Sequence, residues 1–121
     1  MKENKRQMAV VSYSYCGYLC KYDLIADSTS VVGVFDSIEL AKAAVKDLIK
    51  ATKEALDKDP ETAGNYKFDE EEETQSTYRV DWHVKPAETL DYDYTVICKE
   101  VTINPDLTNL RKEKWEWDWD V

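Results

Sequence analysis

Glycine and proline are scarce, with three of each among 121 residues, and the glycines are isolated. A chain so built cannot form a collagen-like or Pro-rich segment, and it has no glycine-rich loop to cradle a phosphate. Cysteine is low and odd in number, at Cys16, Cys20 and Cys98. That argues against a disulfide framework and for a reducing, cytoplasmic setting, or the host cytoplasm if the protein is viral. There is one histidine, His83, so any imidazole chemistry must use it. Long apolar runs are missing too. The longest, Val31 to Phe35, spans about five residues, too few for a transmembrane helix. Met8 to Val11 is too short for the apolar region of a signal peptide. The sequence contains no Walker loop, no G-x-G-x-x-G, no HExxH and no Gly-x-Ser-x-Gly turn.

Basic residues are also in deficit, 16 Lys and Arg against 25 Asp and Glu, for a net charge of -9. Direct binding to nucleic acid or to an anionic membrane needs a basic patch, and none is present. An acidic surface instead suits a basic protein partner. The negative charge is concentrated in residues 60–76, with Asp69, Glu70, Glu71, Glu72 and Glu73 in an unbroken run.

At this length the chain is expected to be a single domain, residues 1–121. Residues 1–7 are polar and expected to fray. Met8 to Tyr15 alternates as a strand. Residues 16–30 read as irregular, with Tyr22 to Ala26 as an optional short strand. The β-branched run Val31 to Phe35 reads as a central strand covered on both faces. A helix of about 20 residues follows. Asp36 is its expected N-cap, with Glu39 at capping-box spacing. Ala41, Val45, Leu48, Thr52 and Ala55, with Ala44, Ile49 and Leu56, form its apolar stripe. Asp59-Pro60 ends it. Residues 60–76 read as an acidic mobile loop, because their like charges repel.

Two alternating strands come next. Tyr78, Val80, Trp82 and Val84 face inward, with Arg79, Asp81, His83 and Lys85 outward. Pro86 to Leu90 is the turn. Tyr92, Tyr94, Val96 and Cys98 then face inward, with Asp91, Asp93 and Thr95 outward, and the slip of phase before Val101 predicts a bulge at Lys99-Glu100. The C-terminal segment, 105–121, is Trp-rich. Trp115, Trp117 and Trp119 alternate with Glu116, Asp118 and Asp120, as in a half-buried edge strand. These elements predict an α+β fold, one long helix packed on a mostly antiparallel sheet of four to six strands.

Some constellations could carry chemistry. Cys16, Cys20, Cys98 and His83 have the residue types of a zinc set but not its usual spacing, and strand parity separates His83 from the apolar side of its strand. No metal, cofactor or catalytic residue is therefore assigned. Asp81 and His83 share a face and, with Tyr13, Tyr15, Tyr92 and Tyr94, outline the alternative of a small-molecule-binding or catalytic domain. A self-associating module is a third reading, with a homodimer through the C-terminal edge strand.

The stretch Val31-Val-Gly-Val-Phe-Asp-Ser-Ile-Glu-Leu-Ala-Lys-Ala-Ala-Val45, after the strand containing Val-Ser-Tyr-Ser-Tyr, resembles small uncharacterised α+β domains of bacteria and phages. In those domains a strand carrying G-[VI]-[YF]-x-S leads into a helix that opens with x-E-x-A. The resemblance covers residues 8–55. It implies an α+β fold and a bacterial or phage accessory protein, and it transfers no catalytic residue.

The preferred reading is a small acidic, non-enzymatic protein-interaction domain, of inhibitor or immunity type. Its expected partner is a basic nucleic-acid-processing or defence protein, the sharpest version being a phage-encoded anti-defence protein that mimics nucleic acid. The partner-binding residues would be Asp69, Glu70, Glu71, Glu72, Glu73, Asp91, Asp93, Glu116, Asp118, Asp120, Trp117 and Trp119. Carboxylates on neighbouring strands lie about 5 Å apart, and alternate ones along a strand about 7 Å, spacings of the same order as those of adjacent phosphates.

Overall fold

The computed structural model describes residues 6–103. In chain order the elements are β1 (Arg6–Leu19), β2 (Asp23–Phe35), α1 (Ile38–Lys58), β3 (Tyr66–Glu73), β4 (Thr77–Ala87) and β5 (Leu90–Ile103). The five strands form one sheet in the order β2-β1-β5-β4-β3, with every neighbouring pair antiparallel. The helix connects the two edge strands and so crosses one face of the sheet. This is the α+β architecture the sequence predicts. The Trp-rich segment, with Trp115, Glu116, Trp117, Asp118, Trp119 and Asp120, lies outside the described residues.

The alternating segments fold as their period requires. Tyr78, Val80, Trp82 and Val84 of β4 are buried, as are Val96 and Cys98 of β5 and Ala9 and Val11 of β1. Ile38, Ala41 and Val45 of α1 close over them. The helix starts one residue later than its sequence suggests. Ser37, in an extended conformation, is the N-cap, and its hydroxyl accepts from the Leu40 amide at 3.2 Å. Ser37 thus occupies the position assigned to Asp36, satisfying a first-turn amide that has no partner within the helix. At the other end Asp59 leaves the helical region, and its carbonyl accepts from the Thr62 and Ala63 amides.

Four expectations are corrected. Residues 16–30 are not irregular, since β1 continues to Leu19 and β2 begins at Asp23, making a long hairpin. Its tight turn puts Cys20 and Lys21 at φ 56° and 73°, left-handed conformations normally signalled by Gly or Asn. Val31 to Phe35 belongs to an edge strand, and Val31, Val32 and Val34 are each more than half exposed. Two extra residues on β2, Ile25 and Val32, interrupt its register with β1. The expected bulge at Lys99-Glu100 is absent, because β5 pairs with β1 without a shift from Leu90 to Ile103. The bulge of β5's pairing lies instead at Lys85 and Pro86, between the Val84–Tyr92 and Ala87–Leu90 pairs. Pro86 has no amide to give a ladder, so this is where it fits.

The fourth correction concerns the acidic run, which is a strand and not a mobile loop. Its companions from elsewhere in the chain hold it. Phe68 stacks on Trp82 at 5.2 Å between ring centres, and the Lys53 ammonium lies 4.8 Å from the centre of the Phe68 ring. The Tyr66 hydroxyl donates to Asp57 of the helix at 2.7 Å. The Tyr78 hydroxyl donates to Glu71. Lys42 reaches Glu73 at 3.1 Å and the Thr74 carbonyl at 2.5 Å. These contacts offset the repulsion that, in isolation, would keep such a run from ordering.

Candidate interaction surface

The face of the sheet opposite α1 carries no helix among the described residues. Register assigns its side chains. Ser12, Ser14, Cys16 and Tyr18 come from β1. Asp91, Asp93, Thr95 and Ile97 come from β5, and Arg79, Asp81, His83 and Lys85 from β4. The outward assignment of Asp81, Asp91 and Asp93 therefore stands. Asp27 of β2 pairs with Cys16 and joins this face. It sits in the stretch read from sequence as irregular, so no alternation was available to reveal it.

The acids on this face differ in their partners. Asp81 takes Arg79 Nε at 3.0 Å and the Thr95 hydroxyl at 2.5 Å. Asp91 is met by Lys85 Nζ at 3.3 Å. Asp69, an extra residue in the β3–β4 register, reaches His83 Nδ1 at 3.3 Å. These pairs dilute the acidic plate that alternation alone suggests. Negative charge persists along the row where Asp27, Cys16, Asp93 and His83 are successive register partners. Asp27 and Asp93 are exposed. The Tyr18 phenol is raised above its ordinary value, first by neighbouring Cys16 and further by Asp93 and Asp27, as expected in a negative local potential.

The strongest concentration of carboxylates is the β3 edge. The pleat divides it. Glu71 and Glu73 turn toward the helix side, where Tyr78 and Lys42 hold them, and Lys42 keeps the Glu73 carboxyl below its usual range. Glu72 is opposite Arg79, and Glu70 is opposite Asp81 in the register. One side of β3 pairs with β4, and the other side has no strand beside it among the described residues. The remaining predicted partner-binding residues, Glu116, Trp117, Asp118, Trp119 and Asp120, lie outside the described residues.

Two other sets are not brought together. Cys98 is buried on the helix side, where burial pushes its thiol up, whereas His83 lies on the opposite face, so the zinc set cannot converge. Likewise Tyr13, Tyr15, Tyr92 and Tyr94 share the helix side of the sheet, with their rings in mutual contact, while Asp81 and His83 are on the other side. Among the described residues no helix is long and apolar enough to cross a membrane. No family model matches the chain, and no curated protein or solved structure is significantly similar to it.

Proposed function

We propose that this is a small non-enzymatic interaction domain, of inhibitor or immunity type, whose acidic β3 edge and adjoining outer sheet face dock a basic protein. The observation that carries the reading is the conversion of the acidic run into an edge strand. Main-chain donors and acceptors and carboxylates are offered along one line, so a partner can add backbone pairing to charge pairing. A basic nucleic-acid-processing protein fits this chemistry best, because its groove already receives regularly spaced anions. Glu72, Asp93 and Asp27 are the residues best placed to contribute, since none of them forms an ion pair of the fold among the described residues.

The test is capture of partners by the tagged full chain, at low and moderate salt, beside a Glu72→Gln, Asp93→Asn, Asp27→Asn variant. One basic protein should be retained by the native chain and lost both with the variant and as ionic strength rises, since screening acts over about 10 Å at 0.1 M salt. A captured protein indifferent to both changes would refute the acidic-edge reading. So would the absence of any salt-sensitive partner, and the charges would then serve to keep the edge from pairing with other chains.

A further inference from the structure

The helix packs on the sheet less closely in its second half, where Ile49 and Leu56 are only partly buried against the core. Ile38, Ala41 and Val45 in its first half are buried, whereas Leu48 is 39% exposed. Beneath its second half lies a cavity of about 410 Å³, within the range of roughly 300–1,000 Å³ usual for ligand sites. Its roof is Leu48, Thr52 and Leu56, and its floor is Tyr13, Trp82 and Tyr94. The extra residue of β2, Val32, closes one side.

The floor has a definite shape. Trp82 and Tyr94 are stacked at 5.3 Å and 12°, and Phe68 continues the stack beyond Trp82 at 5.2 Å and 17°. Rings lying flat and side by side could not approach so closely. Close to the strand spacing of about 4.8 Å, these are the distances of near-parallel rings stacked with an offset across neighbouring strands. Tyr13 adds a third ring, 6.1 Å from Tyr94. Among the described residues, none that lines the cavity is charged. The polar atoms at hand are the Thr52 hydroxyl, which donates to the Leu48 carbonyl at 2.8 Å, and the phenols of Tyr13 and Tyr94. Neither phenol has a hydrogen-bond partner among the described residues, and burial keeps both protonated.

We infer that this cavity binds an uncharged, planar aromatic molecule under the helix. It would pack against the rings of Trp82, Tyr94 and Tyr13, and Leu48 and Leu56 would cover the other side. A polar substituent at its rim would take a hydrogen bond from one of the two phenols. A charged ligand would lose hydration with no counter-charge to replace it.

The test uses the full chain and prodan, an uncharged naphthalene fluorophore. Saturable binding of one prodan per chain is expected, with shifts of the Trp82 indole resonance in NMR spectra. Leu48→Trp, which fills the space from a half-exposed position, should weaken binding by about tenfold or more. Thr52→Phe should act in the same direction, and circular dichroism would confirm that both variants fold. Val34→Thr, on the exposed part of β2, should bind as the native chain does. An absence of saturable binding would overturn the inference. Undiminished binding to both filled variants would overturn it as well. Equal competition by dodecanol, a flexible chain, would overturn the planar-aromatic assignment.

Discussion

Val45 and Leu48 occupy the same apolar stripe of the helix, three residues apart, and periodicity treats them alike. The structure separates them, and a pair of truncations measures the separation. Val45 is 1% exposed and packs in the centre of the core. Val45→Ala removes two methyl groups, about 1.6 kcal/mol of transfer free energy at roughly 0.8 kcal/mol per carbon. The void left in a close-packed layer brings the total to about 2–3 kcal/mol. Leu48→Ala removes more carbon, three atoms, and at a buried site would cost about 2–5 kcal/mol. Leu48 however is 39% exposed and lines the cavity, so it already lacks packing partners on one side. Its truncation should cost about 0.5–1 kcal/mol. The assay is urea unfolding of both variants, with midpoints compared only if the slope is unchanged. A Leu48→Ala cost equal to or above that of Val45→Ala would refute the separation, because the second half of α1 would then rest on the sheet and there would be no wedge to bind a ligand.

Three further outcomes follow from single contacts. Ser37→Ala removes the N-cap acceptor and should cost about 1 kcal/mol in the same unfolding assay. The phenols of Tyr13 and Tyr78 are raised above the ordinary 10.0, that of Tyr13 to about 12, chiefly by burial. The native state therefore favours their protonated forms, so their stabilising contribution is complete below pH 10 and is lost as pH rises toward 12, a loss that tyrosinate absorbance and circular dichroism should report together. With a maleimide under native conditions, exposed Cys20 should react readily and Cys98, fully buried with a raised thiol, only on unfolding, as peptide mapping would show.

How much was legible from residues alone depended on whether a local pattern was sufficient. In β4 and β5 it was. The alternation Tyr78, Val80, Trp82, Val84 and Tyr92, Tyr94, Val96, Cys98 has one physical solution, a strand with one face turned to the core, and burial follows it except at Tyr92 and Tyr94, which are half-buried. The helix was legible for the same reason, apart from one residue at its start, where Ser37 and not Asp36 is the N-cap. The outward placement of Asp81, Asp91 and Asp93 came with the strands. The partners of Asp81 and Asp91 came partly from neighbouring strands, which strand order brings together.

The remainder had no local signature. The first hairpin was hidden because its turn places Cys20 and Lys21 at positive φ, where sequence logic looks for Gly or Asn. Val31 to Phe35 has the β-branched run of a central strand, and only the order β2-β1-β5-β4-β3 makes it an edge. The acidic run was the sharpest case, since its like charges repel until Lys42, Tyr78, Lys53 and Trp82 are brought against it from distant points of the chain. The sequence by itself determined the α+β class, the helix, two strands and their inward faces, because hydrophobic periodicity is a property of consecutive residues. Strand order, the division of the β3 carboxylates between the two faces, and the cavity under the helix were decided only by tertiary structure, because each depends on which distant residues become neighbours.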